Sequence, residues 1–209
     1  MTIEEFGRRT NVSRETLERL DRYADLLDRW HKMMSLVSGA SLQDMWRRHF
    51  FDSAQLFNLL PANPSPLVDL GSGAGFPGLV LAIMGVPNVT LIESSRKKCS
   101  FLQEVARETD TDVEIFAGRI EQFRAPELAR TITARALAPL DKLLELAEPL
   151  LAPGGQYLFM KGARAEEELT VAQKKWHIEV ERIRSLSDDQ ATILRITGLK
   201  IRGHEHDPR

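Results

Sequence analysis

Apolar positions recur at helical spacing over the first third of the chain and in short strand-like runs over the rest. Leu17, Leu20, Ala24, Leu27 and His31 fall on one helical face, widened by Tyr23, Leu26 and Trp30, and Ser13 is placed to cap it. Ser41 and Asp44 predict a second cap, for a helix carrying Leu42, Met45, His49 or Phe50, and Phe57 through Leu60. The run Pro61-Ala62-Asn63-Pro64-Ser65-Pro66 stops it, because proline lacks an amide donor and restricts the residue before it. From Leu67 onward, strands are predicted near 67–71, 89–93, 113–117, 131–135 and 156–161, the last preceded by a Pro153-Gly154-Gly155 turn. Helical stretches near 96–108, 119–129 and 139–151 alternate with them, which is the pattern of a doubly wound parallel sheet. A helix near 164–175 precedes two further strand-like runs, His177 to Ser185 and Gln190 to Thr197. Only Leu186-Ser187-Asp188-Asp189 separate these runs, too few residues for a helical crossover, so they pair antiparallel. The expected architecture is α/β and Rossmann-like: a seven-stranded sheet with an antiparallel terminal hairpin. Residues 1–60 form a helical cap before it, and residues 61–209 one compact unit.

Composition narrows this picture without redirecting it. A chain of 209 residues, 43% hydrophobic, buries a full core. The N-terminus is polar and acidic, no apolar run approaches a membrane span, and one cysteine cannot form an internal disulfide. A cytoplasmic protein with no membrane association is expected, working as a monomer. Cys99 shares its helix with Phe101 and Leu102 and reads as a small buried hydrophobe.

Chemistry concentrates in Leu67-Val68-Asp69-Leu70-Gly71-Ser72-Gly73-Ala74-Gly75-Phe76-Pro77-Gly78, an apolar strand that ends in a glycine-dense turn and restarts as a helix. Glycines let backbone take positive φ and approach a ligand, and the amides of the following helix offer it donors. The helix is expected to start at Phe76 or Pro77 and to carry Leu79 through Met84. Dinucleotide-binding loops space their glycines G-x-G-x-x-G, whereas here the third is Gly75 and Phe76 fills the later slot. The pattern D-x-G-x-G-x-G resembles the first motif of class I S-adenosylmethionine-dependent methyltransferases. Glu93 ends the next strand 22 residues beyond Gly71, where a carboxylate accepts both hydroxyls of a ribose.

Ligands of open parallel sheets lie at the carboxyl ends of the strands. Those ends carry Asp69 to Gly75, Glu93, Gly118-Arg119-Ile120-Glu121, Arg135 and Lys161. Asp69 is expected to be structural, accepting loop amides. Ile120 and Glu121 stand where the third-strand loop lines an adenine. Arg135 and Lys161 are cations among apolar strand residues, so each needs an anionic ligand or a neighbouring carboxylate such as Glu93 or Glu121. After the fourth strand comes Ala134-Arg135-Ala136-Leu137-Ala138-Pro139-Leu140, without the Asn or Asp-Pro-Pro-aromatic segment of amino-methyltransferases. No metal-ligand spacing stands out.

The segments Arg48-His49-x-x-Asp52-Ser53, Val68-Asp69-x-Gly71-x-Gly73-x-Gly75-Phe76-Pro77-Gly78, Gly118-Arg119-Ile120-Glu121-Gln122-Phe123, Ala134-Arg135-Ala136 and Met160-Lys161-Gly162 resemble, in register, the RsmG (GidB) methyltransferases. That resemblance spans about residues 13–165 and implies methyl transfer from S-adenosylmethionine to N7 of one guanine in the 530 loop of bacterial 16S rRNA. It departs from the family at Met33 to Ser38, where an Asn-Leu-Thr segment is usual. It implies cofactor contacts at Gly71, Phe76, Ile120, Glu121 and Arg135, to which the glycine loop adds Gly73 and Gly75, with Glu93 on the ribose. Arg48, His49 and Lys161 become RNA-side candidates, Arg119, Arg135 and Lys161 positioning candidates, and Asp52 the residue that fixes His49 or a helix end. Guanine N7 carries a lone pair and no proton, so no base is required.

With 28 basic and 30 acidic residues the net charge is −2, which does not favour indiscriminate RNA binding. Local clusters are Arg47-Arg48-His49, Arg96-Lys97-Lys98 and Lys174-Lys175. The implied partner is 16S rRNA within a small-subunit particle. Two other readings stay open: a methyltransferase of small molecules or proteins, and a non-catalytic module that binds the cofactor.

Overall fold

The computed structural model describes residues 1–202. Thr2 and Ser13 accept from Glu5 N and Thr16 N and so cap α1 (Ile3–Thr10) and α2 (Arg14–His31), each with acids in its first turn and bases in its last. The first of these two helices has no counterpart in the sequence pattern described above.

The second predicted helix is broken. Ser38, not Ser41, caps the short α3 (Gly39–Leu42), and Trp46–Phe51 winds as a π-helix before α4 (Asp52–Ala54) and a 3₁₀ turn, Gln55–Leu59. The wider π winding buries His49, Phe50 and Phe51 together, so the choice between His49 and Phe50 as the inward residue does not arise.

The sheet has the order β3-β2-β1-β4-β5-β7-β6. Strands β1 (Leu67–Leu70), β2 (Val89–Glu93), β3 (Val113–Ala117), β4 (Ala129–Arg135) and β5 (Leu151–Lys161) are parallel. Strands β6 (Trp176–Arg184) and β7 (Thr192–Ile201) close it as the expected antiparallel hairpin, with β7 against β5. Crossovers run through α5 (Gly78–Ile83), α6 (Arg96–Glu108), α7 (Leu140–Ala147) and α8 (Ala165–Ala172). The helix α5 starts one to two residues later than expected, and Pro77 stands at its cap rather than in its first turn.

The helix predicted over 119–129 is absent. Only Ile120–Gln122 forms a 3₁₀ turn, because Pro126 removes an amide donor, disfavours helical backbone at Ala125, and Ala129 already belongs to β4. One core, on one side of the sheet, joins Phe6, Leu20, Tyr23 and Leu27 of the N-terminal helices to Leu79, Phe101 and Leu102. The other packs Leu140, Leu144, Leu169 and Trp176 on Ile132, Tyr157 and Phe159.

Candidate active site

The strand ends meet at three adjoining cavities. One, of about 410 Å³, is lined by Gly71, Gly73, Glu93, Lys98, Arg119, Ile120, Glu121 and Leu137, among others. A second, of about 450 Å³, takes Arg48, His49, Asp52, Phe76 and Arg135 and shares Gly71, Gly73 and Lys98 with the first. The third, of about 400 Å³, runs from Asp52 and Arg135 to Lys161 and Glu168. Arg119 therefore stands with Ile120 and Glu121, away from Arg135 and Lys161.

The three loop glycines serve different neighbours. Gly71, Gly73 and Gly75 all have positive φ. A Cβ on Gly71 would meet the Leu137 side chain, and one on Gly75 would meet the Tyr23 hydroxyl, Leu102 and Leu79. A Cβ on Gly73 would meet only Gly71 O at 3.8 Å, so Gly73 is the glycine that opens backbone to the cleft. Helix α2 fixes the loop, since the Tyr23 hydroxyl donates to Ala74 O. The Tyr23 and Phe76 rings stack at 5.3 Å, and His49 stacks on Phe76 at 4.9 Å.

Glu93 is buried and uses both oxygens on backbone: Oε2 accepts from Gly73 N at 2.9 Å and Oε1 from Ser95 N at 2.7 Å. It clamps the loop to the end of β2, and the spare lone pairs of its oxygens face the same cavity. Asp69 is buried and structural, but it does not take the loop amides it was expected to accept. Its Oδ1 accepts from the Thr133 hydroxyl at 2.7 Å, and Oδ2 has no hydrogen-bond partner among the described residues. Burial pushes its pKa up to about 6 against the pull of the Thr133 and Ser72 hydroxyls, the Gly78 amide and Arg135. Cys99 is buried, its thiol on Glu93 O at 3.3 Å, and burial raises its pKa, as suits a packed rather than reactive cysteine.

Neither strand-end cation pairs with Glu93 or Glu121. Arg135 donates to Arg48 O at 3.0 Å and bridges to Asp52 Oδ2 at 3.3 Å. Lys161 pairs with Glu168 Oε2 at 2.7 Å and donates to Ala138 O at 2.7 Å. The partners come from α4 and α8, elements that strand patterning does not bring to the mouth. Nor does Asp52 hold His49. Its Oδ1 accepts from Gln55 Nε2 at 3.0 Å and from the Ser187 hydroxyl, so it ties α4 to the β6–β7 turn and to Arg135.

Arg135 holds His49, with its NH2 3.0 Å from Nδ1. Arginine only donates, so Nδ1 accepts and the ring proton sits on Nε2, facing Ser41 Oγ at 3.0 Å. Burial, then Arg135 and Arg48, push the His49 pKa down to about 3, so the ring is neutral.

Of the basic clusters, Arg47 pairs with Asp44, Arg48 with Asp188 and Lys175 with Glu145. Among the described residues Arg96, Lys97 and Lys98 make no ion pair, and they occupy the first turn of α6. Sequence reasoning missed Ser41, Ser187 and Glu168, and it read Tyr23 as packing alone. Ser187 and Tyr23 meet partners far along the chain, whereas Ser41 and Glu168, only 8 and 7 residues from His49 and Lys161, reach them from a different element.

The sequence family described as GidB, rRNA small subunit methyltransferase G, matches residues 16–194. A protein of Paramagnetospirillum magneticum named ribosomal RNA small subunit methyltransferase G is 54% identical over 196 residues, covering 94% of this chain and 95% of that one. One of the same name from Rhodospirillum centenum is 53% identical, covering 92% and 88%. Among solved structures, the ribosomal protein L11 methylase of Lactobacillus delbrueckii subsp. bulgaricus superposes with a TM-score of 0.58 at 17% identity, covering 69% of this chain and 75% of that one. A TehB-like S-adenosylmethionine-dependent methyltransferase of Corynebacterium glutamicum gives 0.56 at 14%, covering 85% and 98%. The last two show the fold, which is that of class I methyltransferases.

Proposed function

The chain belongs to the rRNA small subunit methyltransferase G family, and from that premise we propose that it methylates N7 of one guanine in the 530 loop of 16S rRNA, using S-adenosylmethionine. The carrying observation is the cleft itself: Gly73 leaves open space where a side chain would stand, beside a buried Glu93 carboxylate at a strand end. The residues present fit the cofactor. Glu93 accepts from the ribose hydroxyls, Ile120 and Glu121 line the adenine, and the Gly71–Gly75 backbone and Arg135 hold the methionine end, beside Phe76. When bound, the cofactor supplies a methyl group on a positively charged sulfur.

What remains for the protein is alignment and exclusion of water. Guanine N7 needs no deprotonation, and the residues facing the join of the cavities are suited to that: His49 is neutral and proton-locked, and Arg135 is neutralised by Asp52. A positive charge growing on the guanine ring meets an ion pair rather than a bare cation, which avoids repulsion. Arg48 at the rim, with Arg96, Lys97 and Lys98 near the glycine loop, offers charge to phosphates. Lys161 lies on the base side of the cleft, and Arg119 at the adenine side. Local charge on a chain of net −2 suits an RNA presented by a small-subunit particle to a cytoplasmic monomer. Among the described residues no helix is long and apolar enough to cross a membrane.

The test is incubation with labelled S-adenosylmethionine and, separately, small subunits, protein-free 16S rRNA and total metabolites, followed by mapping of the label. Label on one 530-loop guanine at N7 is expected. Label on a metabolite or protein, or cofactor binding without turnover, overturns the reading.

A further inference from the structure

The third cavity has polar groups that neither the fold nor the cofactor uses. It opens between Asp52, Arg135 and Ala136 at one end and Lys161, Gly162, Arg164 and Glu168 at the other. Strand register fixes the layout. Leu70 pairs with Ala134, and Arg135 with Met160, so Gly71, Arg135 and Met160 stand level where β1, β4 and β5 end, and Ala136 and Lys161 follow one residue further on. Two strand spacings, about 10 Å, separate the glycine loop from Lys161 across the end of β4, a width that a purine ring lying over that strand end spans.

At the far end, Glu168 uses a single oxygen for the protein. Its Oε2 accepts from Leu140 N at 2.9 Å and pairs with Lys161, while Oε1 takes part in no hydrogen bond among the described residues. Lys161 is 8% exposed and spends two of its three N–H groups on Glu168 and Ala138 O. The pair therefore presents one free acceptor and one free donor, side by side, on a cavity wall. The chain holds both in place from β5 and α8, so neither must be ordered on binding.

We propose that Lys161 and Glu168 read the Watson–Crick edge of the target guanine, Lys161 donating to O6 and Glu168 Oε1 accepting from N1–H and the 2-amino group. This rests on the guanine-N7 reading above and deepens it. Guanine offers acceptor, donor, donor along that edge, complementary to the pair, and an extruded base is read on that edge. Adenine offers a donor at C6 and an acceptor at N1, so it sets donor against Lys161 and acceptor against Glu168. The arrangement also orients the ring. N7 lies across the purine from N1 and the 2-amino group, so a base held at Glu168 turns N7 back toward Arg135 and the glycine loop. Specificity and alignment then come from the same contacts.

The experiment compares small subunits reconstituted with guanosine or inosine at the target nucleotide, since inosine lacks only the 2-amino group and keeps N7. The wild-type enzyme is expected to methylate the inosine subunits about 10- to 100-fold less efficiently in kcat/KM, the loss of a hydrogen bond to a charged group. Glu168→Gln, which keeps an oxygen for Leu140 N, is expected to fall by a similar factor on guanosine subunits and to discriminate the two nucleotides several-fold less than wild type. Its affinity for S-adenosylmethionine, measured by calorimetry, stays unchanged. Equal wild-type rates on inosine and guanosine overturn the proposal while leaving N7 methylation intact, as does a Glu168→Gln enzyme with undiminished discrimination. Absence of N7 methylation of guanosine subunits by the wild type overturns the underlying reading instead.

Discussion

Arg135 reaches His49 nitrogen to nitrogen, 3.0 Å from NH2 to Nδ1, and so a cation rather than a carboxylate orients the buried imidazole. A carboxylate in that place would raise the histidine's pKa; the guanidinium, with burial, depresses it to about 3 from 6.5. In the folded protein the ring stays neutral well below the pH at which it protonates in the unfolded chain. Stability from this group is therefore full above pH 6.5 and is lost as pH falls toward 3, because only the unfolded state takes up the proton. His49→Gln should remove that limb. Between pH 7 and 5, urea unfolding should show the wild type losing about 1 to 2 kcal/mol more than the variant. Parallel curves for the two proteins would contradict the assignment.

The same neutrality bears on rate. With no side chain acting as base, single-turnover methylation should vary little between about pH 6.5 and 8.5, whereas a required base imposes a log-linear acidic limb. His49→Asn should lower the rate without changing the profile's shape. An acidic limb that disappears in His49→Asn or Asp52→Asn would identify a base after all.

Gly73 and Gly75, two residues apart, should fail differently. Gly75→Ala drives a methyl group into Tyr23, Leu102 and Leu79 at positive φ, so it should lower Tm by roughly 5 to 10 °C, taking about 2 to 3 kcal/mol of overpacking and strain. Gly73→Ala meets only Gly71 O, at an ordinary contact distance, and should cost only about 1 kcal/mol of backbone strain, yet weaken S-adenosylmethionine binding more than 10-fold. Gly73→Val should abolish binding. Calorimetry and thermal melts on the same samples separate the two patterns, and NAD should give no heat with any of them.

Asp52 and Arg135 should behave as one unit. Their side chains are 12% and 18% exposed, and the pair also orders Gln55, Ser187 and His49. Asp52→Asn and Arg135→Ala should each weaken cofactor binding and activity. Their double-mutant cycle should show a coupling of about 1 to 3 kcal/mol, where independent residues would give none.

Arg48 is half exposed at the cleft rim and, among the described residues, its one ion pair is with Asp188. Arg48→Gln should leave cofactor affinity unchanged and weaken small-subunit binding. It should also lower the salt dependence of that binding by about one phosphate contact. An unaltered salt slope would place Arg48 outside the RNA contact surface.

The sheet was legible because its strands are short apolar runs bounded by turns, and β2, β3 and α6 lie at the residues their patterns mark. Apolar spacing fails where a single residue overrides it: Pro126 cancels a helix, and the π winding at Trp46–Phe51 escapes any fixed period. The glycine loop and Glu93 were legible as a strand-end constellation. The partner of Arg135 was not, since Asp52 precedes it by 83 residues and no local spacing joins them, and Glu168, though close to Lys161 in sequence, reaches it only because α8 folds back on the end of β5. Pairs of that kind are decided by how the N-terminal helices and the terminal hairpin close over the sheet.

The shared core of those helices has a consequence for the order of synthesis. Phe6, Leu20, Tyr23 and Leu27 leave the ribosome first, but their packing partners Leu79, Phe101 and Leu102 follow some 50 to 100 residues later. Until then the α2 face stays open to solvent, and closing it carries the loop entropy of a long-range contact. The nascent segment is thus committed late, and a fragment ending near residue 60 should remain unfolded by circular dichroism until the chain through α6 is supplied.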